Sequence, residues 1–454
     1  MKKLLILTTV LFASFALTAC GGDDTEVVVE CTNNADDGTL YEFDKTQVEI
    51  TTIKVWLDDE TWANALIAAF EEANPTIKVE LELVGSVDTR AQLELLGESG
   101  SGADVVVFPH DHIGAALASN LLYPFGDTQR EDLEDRMISS AIGTATSCYD
   151  PETNTAVACT DGAQSELFGA PLSGESVALF YNSTLLNFIN GSPEPQGTWE
   201  EIIATALAYN TYGAENTNLY YALDTGNAYD MHFVGTAFGF DLFGADHLDS
   251  TSANLGSQEM VDALTWFNTE LASGLDLQAA SLGGESNRTL FESGELAYII
   301  DGPWSIDRYL SGADENSFEW GITKIPTIGG VQPVTFSGVQ IAAVYKGTTE
   351  PTAAFKFIEF MTSDEGLAIM YAMTNKLPAL KDVSTVPGVA SDVYLSGISA
   401  QLVFSHPMPI IPEMGYFWSN AGTMYSSAWN ATATPAEAAA TAQSGFDAQS
   451  GLGD

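Results

Sequence analysis

A histidine, an aspartate and a second histidine follow an apolar run and are the first candidates for chemistry in this sequence. In GADVVVFPHDHIGAAL, residues 102–117, they are His110, Asp111 and His112. Two imidazoles at spacing i, i+2 can share a metal, His110 can act as a general base, and Asp111 can cap a helix or bind a ligand. The chain has five histidines and no second HxH, HExxH, GxSxG, phosphate-loop or dinucleotide motif. We therefore expect neither a metal nor a cofactor, which leaves capping and ligand binding open for Asp111.

Strand and helix patterns alternate along the chain and must position this triplet. Alternating apolar residues predict strands at 53–57 and 77–84, an apolar run predicts a strand at 105–108, and helical periodicity falls between them. The same alternation resumes after residue 175, and the sequence contains no internal repeat. The pattern predicts an α/β fold made twice, each part a mostly parallel sheet with helices on both faces.

Ligands of open α/β sheets bind beyond the carboxyl ends of the strands, where this chain places carboxylates and aromatic rings. The residues concerned are Asp58, Asp59, Glu60, Phe108, Asp111, His112, Glu175, Asp301 and Trp304. Carboxylates accept hydrogen bonds from vicinal hydroxyls, and flat rings cover the apolar faces of a pyranose. These residue types favour a carbohydrate ligand.

The length and charge of the chain narrow its class. Its 454 residues exceed the size to which one hydrophobic core grows, so we expect two domains. With 62 acidic and 15 basic residues, the formal charge is −47. Such a surface repels nucleic acid and anionic lipid and favours a neutral or cationic ligand, and it is typical of proteins from salty habitats. We expect no nucleic-acid partner.

The amino terminus has the features of an export signal. Residues 1–19 combine two lysines with an apolar run too short to span a membrane. The ending LTAC resembles a bacterial lipobox, which predicts cleavage before Cys20 and a lipid on its thiol; a soluble exported protein is the alternative. Residues 20–47 then form an acidic tether. We expect an exported protein, anchored by its lipid to the cell envelope in the periplasm or on the outer face of the cell membrane.

The remaining cysteines predict one disulfide. Cys148 and Cys159 bracket CYDPETNTAVAC, whose turn-forming residues suit a short closed loop. An exported protein can keep such a bond oxidised. Cys31 lies in the tether and has no predicted partner.

Six segments in order resemble the maltose/maltodextrin-binding proteins, the extracellular solute-binding components of sugar ABC importers. They are GADVVVFPHDHIGAALASNLL at 102–122, GAPLSGESVALFYNSTLL at 169–186, TWEEI at 198–202, FESGELAYIIDGPW at 291–304, WGITKIPT at 320–327 and MPIIPEMGYFW at 408–418. The resemblance implies a two-lobed clamp of the periplasmic-binding-protein type, closing by hinge bending around a ligand and docking on a membrane permease.

The resemblance also implies that three segments cross between the lobes. We place these crossings near residues 173–175, 326–330 and 375–377. The N-terminal lobe then comprises residues 48–172 and 331–374, and the C-terminal lobe comprises residues 175–326 and 377–446.

Position by position, the resemblance implies a set of sugar-binding residues. Asp111 and Glu175 match carboxylates that accept sugar hydroxyls. The aromatic residues Tyr229, Trp304 and Trp418 match stacking positions. The acidic loop Asp58, Asp59 and Glu60 replaces the family's polar loop after the first strand.

Four positions depart from the family pattern. Phe108 stands where a tryptophan is often found, and His112 where a basic residue often follows the aspartate. Gly422 replaces an arginine of the family, and Asn227 has a shorter side chain than the family's polar residue at that position. The loss of these longer side chains predicts a wider or differently shaped subsite for a ligand of the same class. We expect Phe108 and His112 still to face this subsite.

The sequence therefore predicts a monomeric, lipid-anchored binding protein that captures maltose or maltodextrin for an ABC permease and performs no chemistry. Three alternatives remain: a binder of another neutral oligosaccharide, a ligand-binding partner of a sensor, and a secreted glycoside hydrolase that uses Glu175 with Asp111.

Overall fold

Fourteen strands lie in the part of the chain that the computed structural model describes, residues 50–150, 155–156, 164–212, 219–245, 247–272 and 283–451. They are β1 Thr51–Leu57, β2 Ile77–Leu83, β3 Val105–Pro109, β4 Thr146–Asp150, β5 Thr155–Ala156, β6 Gln164–Leu167, β7 Ala170–Ser176, β8 Ala178–Asn182, β9 Leu219–Ala222, β10 Leu296–Asp301, β11 Trp320–Thr323, β12 Thr335–Val344, β13 Leu377–Pro378 and β14 Ser405–Pro407. The strands predicted at 53–57, 77–84 and 105–108 are confirmed as β1, β2 and β3.

Sixteen α-helices separate these strands within the same described ranges. They are α1 Glu60–Ala73, α2 Ser86–Leu96, α3 Ile113–Ala118, α4 Asp127–Arg136, α5 Ser139–Thr144, α6 Ser183–Asn190, α7 Trp199–Tyr212, α8 Ala228–Thr236, α9 Gln258–Trp266, α10 Gly284–Glu292, α11 Ile306–Asn316, α12 Pro351–Met361, α13 Asp364–Thr374, α14 Val393–Leu402, α15 Met414–Trp429 and α16 Pro435–Ser450. Local sequence explains where several begin. Thr434 and Glu437, for example, form a capping box at the start of α16, with proline at its first position.

The larger sheet has seven strands in the order β13-β7-β12-β3-β1-β2, with β14 pairing with β12. Strand β1 is parallel to β2 and β3, whereas β12 is antiparallel to both β3 and β7. The expectation of a mostly parallel sheet is therefore wrong for this part of the chain. The chain enters β12 from β11 of the small sheet, without a crossover helix from a neighbouring strand of the large sheet. Strand β12 can therefore be antiparallel to its neighbours.

The smaller main sheet has four strands in the order β11-β8-β10-β9. Strand β10 is parallel to β9 and antiparallel to β8, so this sheet is mixed as well. Its two faces bury different side chains: Phe180 and Ile299 join the apolar cluster of the large sheet, whereas Leu179 and Ile300 join a second cluster. We call the two bodies the large-sheet lobe and the small-sheet lobe. The predicted two-lobed α/β fold is confirmed.

Several segments connect the two lobes. Val177 alone separates β7 of the large sheet from β8 of the small sheet, and the chain returns between β11 and β12. Around residues 375–377 the chain stays on the large sheet, because Leu377 pairs with Gly174 and the Ala379 amide donates to the Leu172 carbonyl. It reaches α15, which packs against α8, α9 and α16, only after β14.

The predictions for residues 1–49, including the signal, the tether, Cys20 and Cys31, lie outside the described residues, and so does Cys159. Cys148 is disulfide-bonded. Among the described residues, no helix has the length and apolar character needed to cross a membrane.

Replacing Cys148 by serine should lower the melting temperature of the oxidised protein. If Cys159 is the partner, the closed loop is short and the bond stabilises the fold by about 2–3 kcal/mol. Thermal unfolding with and without reductant measures this effect. Cys159→Ser should match Cys148→Ser, whereas Cys31→Ser should melt like the wild type. A loss in Cys31→Ser and none in Cys159→Ser would contradict the predicted pairing.

Candidate functional site

A cleft of about 960 Å³ lies between the two lobes. Its wall combines strand ends of the large-sheet lobe, loops of the small-sheet lobe and connecting segments. The lining residues are Asp58, Ser86, Val87, Pro109, Asp111, His112, Glu175, Asp224, Gly226, Asn227, Ala228, Tyr229, Trp304, Gln340, Lys376, Met408 and Trp418. A further recess of about 460 Å³ continues from Gly226 and Trp418 along α15.

The histidine triplet forms a short 3₁₀ turn after β3, so its two imidazoles do not share one side. His110 is buried: its Nδ1 accepts the Val339 amide at 3.0 Å, and its Nε2 lies 3.0 Å from the Met408 carbonyl oxygen. Burial lowers the pKa of His110 to about 4, so the ring is neutral and Nε2–H donates to Met408. His110 therefore joins chain segments. Within the described residues, no group of three or more His, Cys, Asp or Glu is placed to hold a metal ion.

Asp111 and His112 reach the cleft wall from the same turn. The Asp111 Oδ2 accepts the Trp418 indole N–H at 3.1 Å, a bond that joins the two lobes across the cleft. Burial, with a smaller contribution from the charge of Glu175, raises the pKa of Asp111 to about 7. His112 is also largely desolvated, which lowers its pKa to about 4.

Glu175, at the end of β7, meets residues from two later segments of the chain. Its Oε1 accepts the Gln340 Nε2–H at 2.9 Å, and burial raises its pKa although the positive charge of Lys376 lowers it. The Lys376 Nζ lies 3.9 Å from the Asp58 Oδ2 and 5.9 Å from the centre of the Trp62 ring.

Gln340 and Lys376 are not among the residues predicted from the sequence. Lys376 immediately precedes β13, at the edge of the large sheet, and not at the crossing predicted for residues 375–377.

Three aromatic side chains of the small-sheet lobe form one side of the cleft. The ring of Tyr229 lies 6.2 Å from that of Trp304 and 6.4 Å from that of Trp418, measured between centroids. Asn227 caps α8 by accepting the Tyr229 amide at 3.0 Å, which sets the start of the helix that carries this ring. Trp304 keeps 38% of its surface exposed, so an apolar face is available to a ligand.

Three residues predicted to contact a ligand lie off the cleft wall. Asp59 caps α1 by accepting the Trp62 amide at 2.8 Å, and Glu60 is exposed in the first turn of that helix. Phe108 is 0% exposed in the core of the large-sheet lobe, where every residue of β3 is buried. The prediction that Phe108 faces the cleft is therefore wrong for this structure.

Position 422 has no space for any residue larger than glycine. A Cβ atom on Gly422 would lie 2.4 Å from the Gly226 carbonyl oxygen, so α15 and the loop before α8 leave no space for a side chain. The long arm that the family resemblance would place here cannot be accommodated. Small polar residues line the recess beside α15, and they include Ser419, Thr423 and Ser426.

Comparison with known proteins identifies similar chains. A model of the bacterial extracellular solute-binding proteins matches residues 65–396. A maltooligosaccharide ABC transporter solute-binding lipoprotein of Streptococcus pneumoniae is 24% identical over 93% of this chain and 91% of its own length. A galactooligosaccharide-binding protein of Bacillus subtilis is 23% identical, covering 87% of this chain and 88% of its own. The solved structure of a cyclo/maltodextrin-binding protein with maltotetraose has a TM-score of 0.69 at 25% identity, covering 89% of this chain and 98% of the other.

The burial of Asp111 predicts a pH-dependent stability. Its folded-state pKa of about 7 lies above its ordinary value of 3.8, so the folded protein holds a proton that the unfolded chain releases. Stability from this group is present at low pH and is lost as the pH rises towards 7. Between pH 5 and pH 8 the wild type should lose on the order of 2–3 kcal/mol relative to Asp111→Asn.

Urea unfolding across this pH range measures the difference. Glu80→Gln, which removes an exposed carboxylate from β2, serves as the control and should follow the wild type. Parallel curves for the wild type and Asp111→Asn would show that Asp111 does not titrate in this window.

Proposed function

Because the chain belongs to the bacterial extracellular solute-binding proteins, we propose that it captures malto-oligosaccharides in the interlobe cleft for an ABC importer. The family consists of extracellular binding proteins, so the chain is an exported binding protein and not an enzyme. The observation that carries the proposed ligand is the pairing of buried carboxylates on one wall with three aromatic rings on the other.

The two walls suit the two chemical surfaces of a sugar. Burial raises the pKa values of Asp111 and Glu175, and sugar hydroxyls would donate further hydrogen bonds to these carboxyl groups. Tyr229, Trp304 and Trp418 offer flat faces to the C–H surfaces of the pyranose rings. With Asp58 and His112, these residues are the proposed ligand contacts.

The size of the cleft favours an oligosaccharide over a single sugar. Its volume of about 960 Å³ lies at the upper end of the ~300–1,000 Å³ range of small-molecule sites. The adjoining recess along α15 extends the space beyond Trp418. The S. pneumoniae relative is named for maltooligosaccharides, which agrees with such a ligand.

A different neutral oligosaccharide is the second candidate. The B. subtilis relative of similar identity is named for galactooligosaccharides, and the cleft chemistry of carboxylates and rings suits any hydroxylated pyranose chain. A secreted glycoside hydrolase has less support, because Asp111 accepts from Trp418, Glu175 accepts from Gln340 and the family is one of binding proteins.

The arrangement in the cell follows from the same proposal. We propose that residues 1–19 are removed, that Cys20 carries the lipid and that residues 20–47 tether a monomer to the envelope. The relative of S. pneumoniae is likewise a lipoprotein of an ABC transporter. In this proposal the two lobes are the large-sheet lobe, which includes β13 and β14, and the small-sheet lobe, and the closed form docks on the permease.

Calorimetric titration of the mature protein with maltotriose should show saturable binding, and the recovered sugar should be intact. Galactotriose and other neutral trisaccharides are the comparison ligands. Tighter binding of galactotriose would transfer the proposal to the second candidate. Shortened sugar in the recovered sample would contradict a purely binding role.

Replacing Trp304 by alanine should weaken the binding of maltotriose about tenfold to a hundredfold, because the sugar loses a stacking surface. Folding stability should change little, since the ring is partly exposed. Phe188→Ala removes an exposed aromatic ring from α6, outside the cleft, and should bind as the wild type does. Equal affinity of Trp304→Ala and the wild type would remove Trp304 from the site.

A further inference from the structure

Asp301, the last residue of β10, lies beneath the aromatic wall and is 1% exposed. Its Oδ1 accepts the Trp304 indole N–H at 2.7 Å and the Gly302 amide at 2.9 Å. Its Oδ2 accepts the Tyr309 hydroxyl at 2.6 Å, and the Arg288 guanidinium donates to both oxygens, at 2.9 and 3.2 Å. Five donors thus converge on one buried carboxylate that does not line the cleft.

Gly302 confines the same indole from another direction. A Cβ atom on Gly302 would lie 2.3–2.5 Å from three atoms of the six-membered ring of Trp304. The ring therefore folds back over the glycine and occupies the space that any larger residue would need. Pro303 then begins the short 3₁₀ helix that carries Trp304.

Arg288 neutralises the charge of the buried Asp301 carboxylate. A buried carboxylate with neutral donors alone would carry an uncompensated charge, and a bidentate guanidinium neutralises it. Arg288 lies on α10 and Tyr309 on α11, so both helices of the small-sheet lobe hold the carboxylate in one orientation. The acceptor that faces the indole is therefore fixed by the core of that lobe.

We infer that Asp301 and Gly302 are positioning residues that hold the Trp304 indole in its ligand-binding orientation. This inference rests on the proposed function of the cleft. A ring that is already ordered loses less rotamer freedom on binding, so the anchor increases affinity without touching the ligand.

This anchor differs from the one on Trp418. The Trp418 indole is held by Asp111 of the opposite lobe, so that contact requires the two lobes to be close together. Asp301 and Trp304 are three residues apart on one segment, and their contact is independent of lobe position. Trp304 is consequently a surface that is formed before the cleft closes.

The anchor can be tested without a sugar. In the whole protein labelled with ¹⁵N-tryptophan, the Trp304 indole N–H should exchange with deuterium at least tenfold more slowly than a solvent-exposed indole, although the ring is partly exposed. Trp304→Phe identifies its resonance by the loss of one signal. Rapid exchange in the wild type would overturn the inference whether or not any sugar binds.

The effect on affinity is tested with variants that separate the acceptor from the charge. Asp301→Ala removes the acceptor and should weaken maltotriose binding about tenfold. Asp301→Asn loses the charge but can turn its carbonyl oxygen towards Trp304, so its affinity should stay within about threefold of the wild type. Tyr309→Phe removes one donor to Oδ2 while Arg288 still holds the carboxylate, so it should weaken binding less than Asp301→Ala does.

Two further comparisons distinguish positioning from general destabilisation. In a Trp304→Ala background, Asp301→Ala should cause no additional loss of affinity, because Asp301 acts through the ring. Gly302→Ala should displace the indole and weaken binding while the Arg288 ion pair persists. An equal loss from Asp301→Ala in both backgrounds, or affinity that follows melting temperature across the variants, would overturn the inference.

If the wild type binds no tested sugar, the proposed function fails and the exchange measurement alone decides the anchor.

Discussion

The arrangement of the cleft depends on the buried imidazole of His110. A neutral imidazole has one acceptor and one donor, and His110 uses them on the Val339 amide and the Met408 carbonyl. These contacts join the end of β3 to β12 and to the segment after β14, three parts of the chain that lie far apart in sequence. Without them, two backbone groups would be buried unpaired. Because Asp111 and His112 follow His110 directly, this junction also places them on the wall of the cleft.

Hydrogen bonding of the two cleft tryptophans links the binding surface to the fold in two different ways. Trp304 is anchored within the small-sheet lobe by Asp301, whereas Trp418 is anchored across the cleft by Asp111. One aromatic surface is therefore independent of the relation between the lobes, and the other depends on it. The bond to Trp418 also places the buried acidic side chain of one lobe against the aromatic wall of the other, which is where a sugar would bridge both.

The scarcity of basic residues gives each cation near the cleft a distinct role. The chain has 15 basic residues against 62 acidic ones, so most carboxylates can have no cationic partner and must remain in water. Two of the cations accompany carboxylates of the small-sheet lobe and the cleft: Arg288 pairs with Asp301, and Lys376 lies near Asp58 and lowers the pKa of Glu175. Asp111 has no such cation within ion-pair distance among the described residues, so no ion pair opposes the rise in its pKa that burial causes.

The sequence by itself determined the elements and the edge at which the site lies. Period-two alternation predicted β1 and β2, and an apolar run predicted β3. The rule for strand ends brought Asp58, Asp111, Glu175 and Trp304 to one cleft. The tertiary structure decided which other residues contact these four or line the cleft with them. Phe108 lies in the core, although it is close to Asp111 along the chain, because the packing of the large-sheet lobe buries every residue of β3. Gln340 meets Glu175 across 165 positions of sequence. Local periodicity specifies a strand or a helix, but only the pairing of distant segments specifies which side chains face each other.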